Sequence, residues 1–283
     1  MIDGVEPFRS DTKQDDSFIA RASDYNGETE VILAPWPSTI HERSQKERQQ
    51  ILDDWLDLLS RPTPIRKLTL WCHVNDRLLG GIRAQTQIDH LRIHWGSYTD
   101  LSPIAGMASM KQLILGGASA VTDLAPLRAL RAITHLEIEN GRALRDYAPL
   151  GDLSSLRSLR VTRSLTGSRT NADSLEFIRS LTDLEALYWD PRVATSDYSP
   201  LLSLTKAKII GVTNLKGMTP SFVDLEWALS GVQAHERFLA ERVIPISVDG
   251  EGVRGIVRDV TGRKVYASPD SVPSPDQPED LEA

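Results

Sequence analysis

Between residues 65 and 213 the apolar positions repeat one short pattern, apolar-x-x-apolar-x-apolar, seven times. The copies are Ile65-Leu68-Leu70, Ile88-Leu91-Ile93, Met110-Leu113-Leu115, Ile133-Leu136-Ile138, Leu156-Leu159-Val161, Leu184-Leu187-Trp189 and Ala207-Ile210-Val212. Their steps are 23, 22, 23, 23, 28 and 23 residues. A period of this size predicts a solenoid, in which each unit buries its apolar face only against its neighbours. A second pattern, Asp-x-x-Pro-apolar, runs in phase with the first. It occurs at Asp100-Pro103-Ile104, Asp123-Pro126-Leu127, Asp146-Pro149-Leu150 and Asp197-Pro200-Leu201, each Asp ten residues before the next copy.

The apolar-x-apolar pair alternates with period two, so it predicts a strand with its apolar side chains inward. Stacked copies predict one parallel sheet with strands about 4.8 Å apart. The Asp-x-x-Pro phrase predicts a tight turn or a short 3-10 segment on the opposite, convex side. Leu130, Leu153, Leu181 and Leu204 are expected to fill the core from the returning segment. Ser174-Leu175-Glu176-Phe177-Ile178 takes the turn position of one repeat without its Pro. The 28-residue step puts five extra residues near Leu165 to Asp173. That loop is expected to leave the sheet, as either a neutral surface loop or a binding loop.

The flanks read differently. Residues 1–24 are charged and poor in apolar groups, which predicts a flexible N-terminus. Residues 25–64 predict an N-terminal cap. Val31 to Ala34 suits a strand, and residues 42–59 suit a helix with Ile51, Leu52, Trp55, Leu56, Leu58 and Leu59 on its apolar side, stopped by Pro62 and Pro64. The repeats occupy 65–217. Residues 218–267 predict a second cap: a helix opened by the capping-box-like Ser221 to Asp224, then short strands at 243–248, 253–260 and 264–266. Residues 268–283, rich in Pro, Asp and Ser, read as a disordered tail.

The two interleaved phrases resemble leucine-rich repeat proteins, in particular the short bacterial internalin-like class with its D-L-x-P-L turn. The resemblance covers roughly half of the chain. It implies an α/β leucine-rich repeat solenoid with a parallel sheet on the concave face, 3-10 or turn segments on the convex face and helical caps. It also implies protein binding. One departure stands out. The family's asparagine, three residues after the last apolar strand position, is replaced by His73, Gly96, Ala118, Gly141, Ser164, Arg192 and Leu215. The turns are therefore expected to be irregular. Internalins are generally exported, and localisation is not carried over.

Composition narrows the rest. With 283 residues and a net charge of −7, the chain suits one elongated repeat domain with small flanks. The single cysteine, Cys72, excludes a disulfide framework. No apolar run approaches the ~20 residues of a membrane span, and no secretory signal is evident, so a cytoplasmic protein is the simplest reading. The acidic balance, with a basic concave patch broken by Glu137 and Glu139, disfavours nucleic acid.

Alternation places Trp71, His90, Arg92, His94, Ile114, His135, Glu137, Glu139, Arg160 and Tyr188 outward on the concave sheet face. Aromatic and Arg side chains on a rigid sheet are the usual anchors of a protein interface. His90 and His135 stand two strands apart, about 10 Å, too far for one metal. His135 with Glu137 is the arrangement of an ordinary ion pair, and Cys72 suits packing better than nucleophilic work. No phosphate loop or zinc-protease motif occurs. These readings predict a non-enzymatic module that binds a protein partner on its concave face, with no cofactor and no metal. The alternative is an enzyme or enzyme subunit whose activity lies in residues 220–266, with His235, Glu236 and Asp249 as its candidates. The partner's identity and the oligomeric state are not legible.

Overall fold

Seven of the strands that the repeats specify lie side by side in one nine-stranded parallel sheet. The computed structural model describes residues 18–35, 44–163, 169–213, 215–221, 224–225 and 228–229, with the backbone of 244–247, 253–258 and 264–267. The sheet opens with β1 (Phe18–Ile19) and β2 (Glu30–Leu33). The repeat strands follow: β3 (Lys67–Val74), β4 (His90–Gly96), β5 (Gln112–Leu115), β6 (His135–Glu139) and β7 (Ser158–Thr162). Then come β9 (Ala186–Trp189) and β11 (Ile209–Val212). Between these, β8 (Asn171–Ala172) and β10 (Arg192–Val193) pair with each other as a separate two-stranded sheet.

The expected ladders are present. Leu68, Leu91, Leu113, Leu136, Leu159, Leu187 and Ile210 are all buried, as are the second-position residues Leu70 through Val212. Leu130, Leu153, Leu181 and Leu204 close the core from the returning segments. Each such side chain contributes about 1.5–3 kcal/mol of burial free energy.

The convex side is built from 3-10 segments at Ser102–Ile104, Ala125–Ala129, Ala148–Asp152, Glu176–Ser180 and Ser199–Ser203. The Asp of each phrase starts its turn. Its carboxylate accepts the backbone N–H two residues on: Asp100 from Ser102 (2.7 Å), Asp123 from Ala125 (2.7 Å), Asp146 from Ala148 (2.8 Å) and Asp197 from Ser199 (2.9 Å). In the turn without Pro, Ser174 Oγ accepts from Glu176 N at 3.0 Å. Proline then fits the second helical position, where no donor is needed.

The first repeat departs from the others. Its convex segment is an α-helix, α2 (Asp76–Gly81), which the periodicity did not announce. Asn75 caps it by accepting from Leu78 N at 3.0 Å. The Asp76 carboxylate accepts from Thr99 N at 2.6 Å and Asp100 N at 3.0 Å, tying the helix to the next turn.

Other groups do the work of the missing asparagine ladder. Tyr98 donates its hydroxyl to Gly116 O at 2.9 Å, and Tyr198 Oη accepts from Val193 N at 3.4 Å. The backbone at Gly116 passes so close to the previous turn that a Cβ there would lie 2.2 Å from His94 O.

The N-terminal cap is larger than the 25–64 expected. The chain is already in the sheet at Phe18, inside the segment read as flexible, because Phe18 and Ile19 pair with Ile32 and Leu33. Residues 1–17 lie outside the described residues. The cap's helix, α1 (Gln45–Leu59), starts at a full capping box: Glu47 N donates to Ser44 Oγ at 3.3 Å, and Ser44 N donates to the Glu47 carboxylate at 2.9 Å. Trp55 is fully buried on its inner face and donates its indole N–H to Ala20 O at 3.1 Å.

At the other end, Ser221 and Asp224 exchange side-chain-to-backbone hydrogen bonds at 3.2 Å, the expected cap, and Leu225 is buried against the last coil. Most of the helix read after it lies outside the described residues. β12 (Ile244–Ser247), β13 (Val253–Arg258) and β14 (Lys264–Ala267) form the expected antiparallel meander. The tail at 268–283 also lies outside the described residues.

Candidate interaction surface

Strand register aligns the central outward residues into one row across the sheet: Thr69, Arg92, Ile114, Glu137, Arg160, Tyr188 and Gly211. This row and the parallel rows through His90 and His94 carry all ten residues that alternation assigned to the face. Nine of them are partly exposed. Glu137 is the exception and a correction: only 4% of it is accessible. Its neighbours in the row are Ile114 and Arg160. Arg160 Nε lies 3.3 Å from the Glu137 carboxylate, and Arg92 acts on it from the other side. Burial pushes the Glu137 carboxyl up to about 7, against the pull of Arg160 and Arg92 and with the help of Glu139. Glu137 is therefore not an exposed residue of the face. Arg160 also lies over the Tyr188 ring, 5.7 Å from its centroid.

The N-terminal end of the face is aromatic. Trp71 and His94 stack face to face, with centroids 3.9 Å apart and planes at 11°. Phe18 meets Trp71 edge-on at 6.3 Å. Beside them His73 packs edge-on against Trp95 at 4.8 Å. Trp95 is 50% accessible, and it and Leu202 are the large apolar residues exposed among the described ones. Trp95 is not among the ten residues that alternation placed on the face. The register between β3 and β4 slips between Leu70 and His73, and His73 then pairs with Trp95. The strand pattern ends at that irregularity, and the side chain after it turns out to the rim.

The histidines are dispersed. His90 Nδ1 lies 2.6 Å from Asp89, and His135 Nδ1 lies 2.8 Å from Thr134 Oγ1. Burial lowers His94, with Arg92 adding to it, and burial lowers His135, with His90 and Arg157 adding to it. Among the described residues no three His, Cys, Asp or Glu side chains gather as a metal site would require. Cys72 is buried, and burial pushes its thiol up to about 12, far from a reactive thiolate. His235, Glu236 and Asp249 lie outside the described residues.

The far half of the face is more closed than alternation implied. Ser158, Ala186, Gly211 and Asp190 are buried despite outward positions. Asp190 accepts from Thr213 Oγ1 at 2.9 Å and pairs with Arg163 at 3.3 Å. The 28-residue repeat does not simply overhang the sheet, since β8 within it is pinned to β10. Arg192 N donates to Thr170 O at 2.9 Å, and Ala194 N to Ala172 O at 2.8 Å. Residues 164–168 lie outside the described residues.

No protein-family model matches the chain, and no curated protein matches it. Solved structures do. An internalin, InlF, of Listeria monocytogenes is 18% identical over 62% of this chain and 48% of its own, with a TM-score of 0.48. This chain therefore spans about half of that protein. Internalin C2 of the same organism is 21% identical over 56% of this chain and 75% of its own, TM-score 0.41. A leucine-rich repeat protein of Leptospira interrogans is 12% identical over 72% of this chain and 53% of its own, TM-score 0.39. With its parallel sheet, its seven-fold strand phrase and its Asp-started 3-10 turns, the protein is a leucine-rich repeat solenoid, structurally similar to bacterial internalins.

Proposed function

We propose that this solenoid is a non-enzymatic interaction module that holds a protein partner on its concave face. The observation that carries the reading is the aromatic block at the N-terminal end: the Trp71–His94 stack beside the half-exposed Trp95. Large aromatic groups fixed on a sheet bind with little loss of conformational freedom, and Trp is the residue type most enriched among interface hot spots. Solenoids of this kind use their extended concave surface for binding. The mixed charge of Arg92, Glu139 and Arg160 suits a protein surface better than a simple anion. The reading extends to the cytoplasm as its compartment, supported by the single, buried thiol of Cys72.

The test is paired affinity capture from native cell extract, with wild-type and W71A/W95A baits of equal circular dichroism. A protein retained by the wild type and lost from the variant is expected. Equal recovery on both baits moves the contact surface off this face.

A further inference from the structure

Two arginines at the centre of the concave face hold donors that no described residue fills. Arg92 on β4 and Arg160 on β7 stand in one row, with Ile114 and Glu137 between them. Arg160 Nε makes an ion contact of 3.3 Å to the Glu137 carboxylate, and its guanidinium carbon lies 5.7 Å from the Tyr188 ring centroid. The Nε atoms of both arginines are buried, yet neither donates a hydrogen bond among the described residues. A guanidinium binds a carboxylate best through two parallel N–H donors in a planar fork. The one contact to Glu137 leaves that fork unused.

Glu137 has two arrangements open to it. Ionised, it is the counter-ion of Arg160. Protonated, its O–H has an acceptor in Glu139, two residues on along β6, on the same face and within hydrogen-bonding reach. Burial holds the Glu137 carboxyl at about 7, against the pull of Arg160 and Arg92 and with the help of Glu139. His135 lies two residues before it on β6, and His94 on β4 acts on Glu139. From β5 the uncharged Ile114 stands beside it. The exchange between the two arrangements therefore falls near neutral pH.

We infer that a carboxylate side chain of the protein partner fills the Arg160 fork, with Arg92 as the second positive charge, while Glu137 takes a proton from solvent, releases Arg160 and hydrogen-bonds to Glu139. The inference rests on the concave face being the contact surface, and it makes the partner acidic where it meets the middle of the sheet. Charge complementarity supports this occupant. The chain carries −7 overall, so its general field repels an acidic group and a local positive site must hold it. Proton uptake gives the contact a signature. With the Glu137 carboxyl at about 7, binding that needs the protonated form is about tenfold weaker at pH 8 than at pH 6.

The test titrates a rhodamine-labelled tetraglutamate peptide onto the full chain, wild type and E137Q, and reads fluorescence anisotropy. E137Q removes the competing carboxylate and is expected to bind the peptide about tenfold more tightly than wild type at pH 8, and within about twofold of it at pH 6. The ratio of the two forms cancels the titration of the histidines and of the peptide, which both share. R160K keeps the charge and removes the planar fork, and is expected to weaken binding about fivefold or more. A tetraglutamine peptide is expected not to bind. No binding of tetraglutamate, equal binding of tetraglutamine, a ratio that stays constant between pH 6 and pH 8, or indifference to R160K overturns the inference. Capture by the W71A/W95A bait depends on none of these results, so a failure here is distinguishable from a failure of the aromatic surface.

Discussion

Glu137 sits where a solvent-facing sheet residue should be, yet it is buried beside Arg160. Its folded-state carboxyl titrates near 7, raised from an ordinary value of 4.5 by burial. The folded state therefore binds the proton more tightly than the unfolded one. Stability linked to this group is fully present below about pH 4.5 and is lost as pH rises through about 7. E137Q removes the titration while keeping the shape. The gain in unfolding free energy of E137Q over wild type, read by denaturant titration, is expected to grow between pH 4.5 and pH 7, reaching about 1–3 kcal/mol. A gain that shrinks over this interval contradicts the burial account. Gln85 is the second residue with unusual leverage. It is fully buried and donates to Leu59 O at 2.7 Å and Arg61 O at 2.6 Å, while its carbonyl accepts from Thr63 Oγ1 at 2.7 Å. It thus fastens the end of α1 to the first repeat. Q85A leaves the buried Leu59 O and two half-buried groups without this partner and is expected to cost about 2–4 kcal/mol in denaturant unfolding.

At the scale of elements, each of the five convex 3-10 turns has one short side chain that accepts the N–H two residues on. D146A removes that bond in one repeat, and S174A removes it in the turn that lacks proline. Each is expected to lower stability by about 1 kcal/mol, read as a shift of the chemical-unfolding midpoint at constant slope. The strands and these turns were legible because their determinants are local: period-two apolar positions and an Asp or Ser at a fixed offset. What was not legible depends on neighbours in space. α2 needs the Asn75 cap and the bonds that Asp76 receives from the following repeat. The exposure of Trp95 follows from a register slip between β3 and β4 that no pattern within either strand encodes. The burial of Glu137 depends on Ile114 and Arg160, which the flanking strands set beside it. The early start of the sheet at Phe18 follows from its pairing with β2, a contact that the charged residues around Phe18 do not announce.

At the scale of the whole molecule, coils contact their neighbours in order, and the sheet runs without interruption from β1 to β11. A solenoid of this kind is rigid along its concave side, which suits recognition by fixed anchors. The two large apolar side chains that the described fold leaves exposed lie on opposite sides: Trp95 at the concave rim, and Leu202, 41% accessible, in a convex 3-10 segment. This contrast permits the most direct test of the account. The dissociation constant of the captured partner is measured by calorimetry for wild type, W95A and L202A, all with matched melting temperatures. A hot-spot role for Trp95 predicts a loss of about 2 kcal/mol or more for W95A, roughly thirtyfold, with L202A equal to wild type. Unchanged affinity for W95A, or a loss confined to L202A, would contradict the concave-face account and put the partner on the convex side.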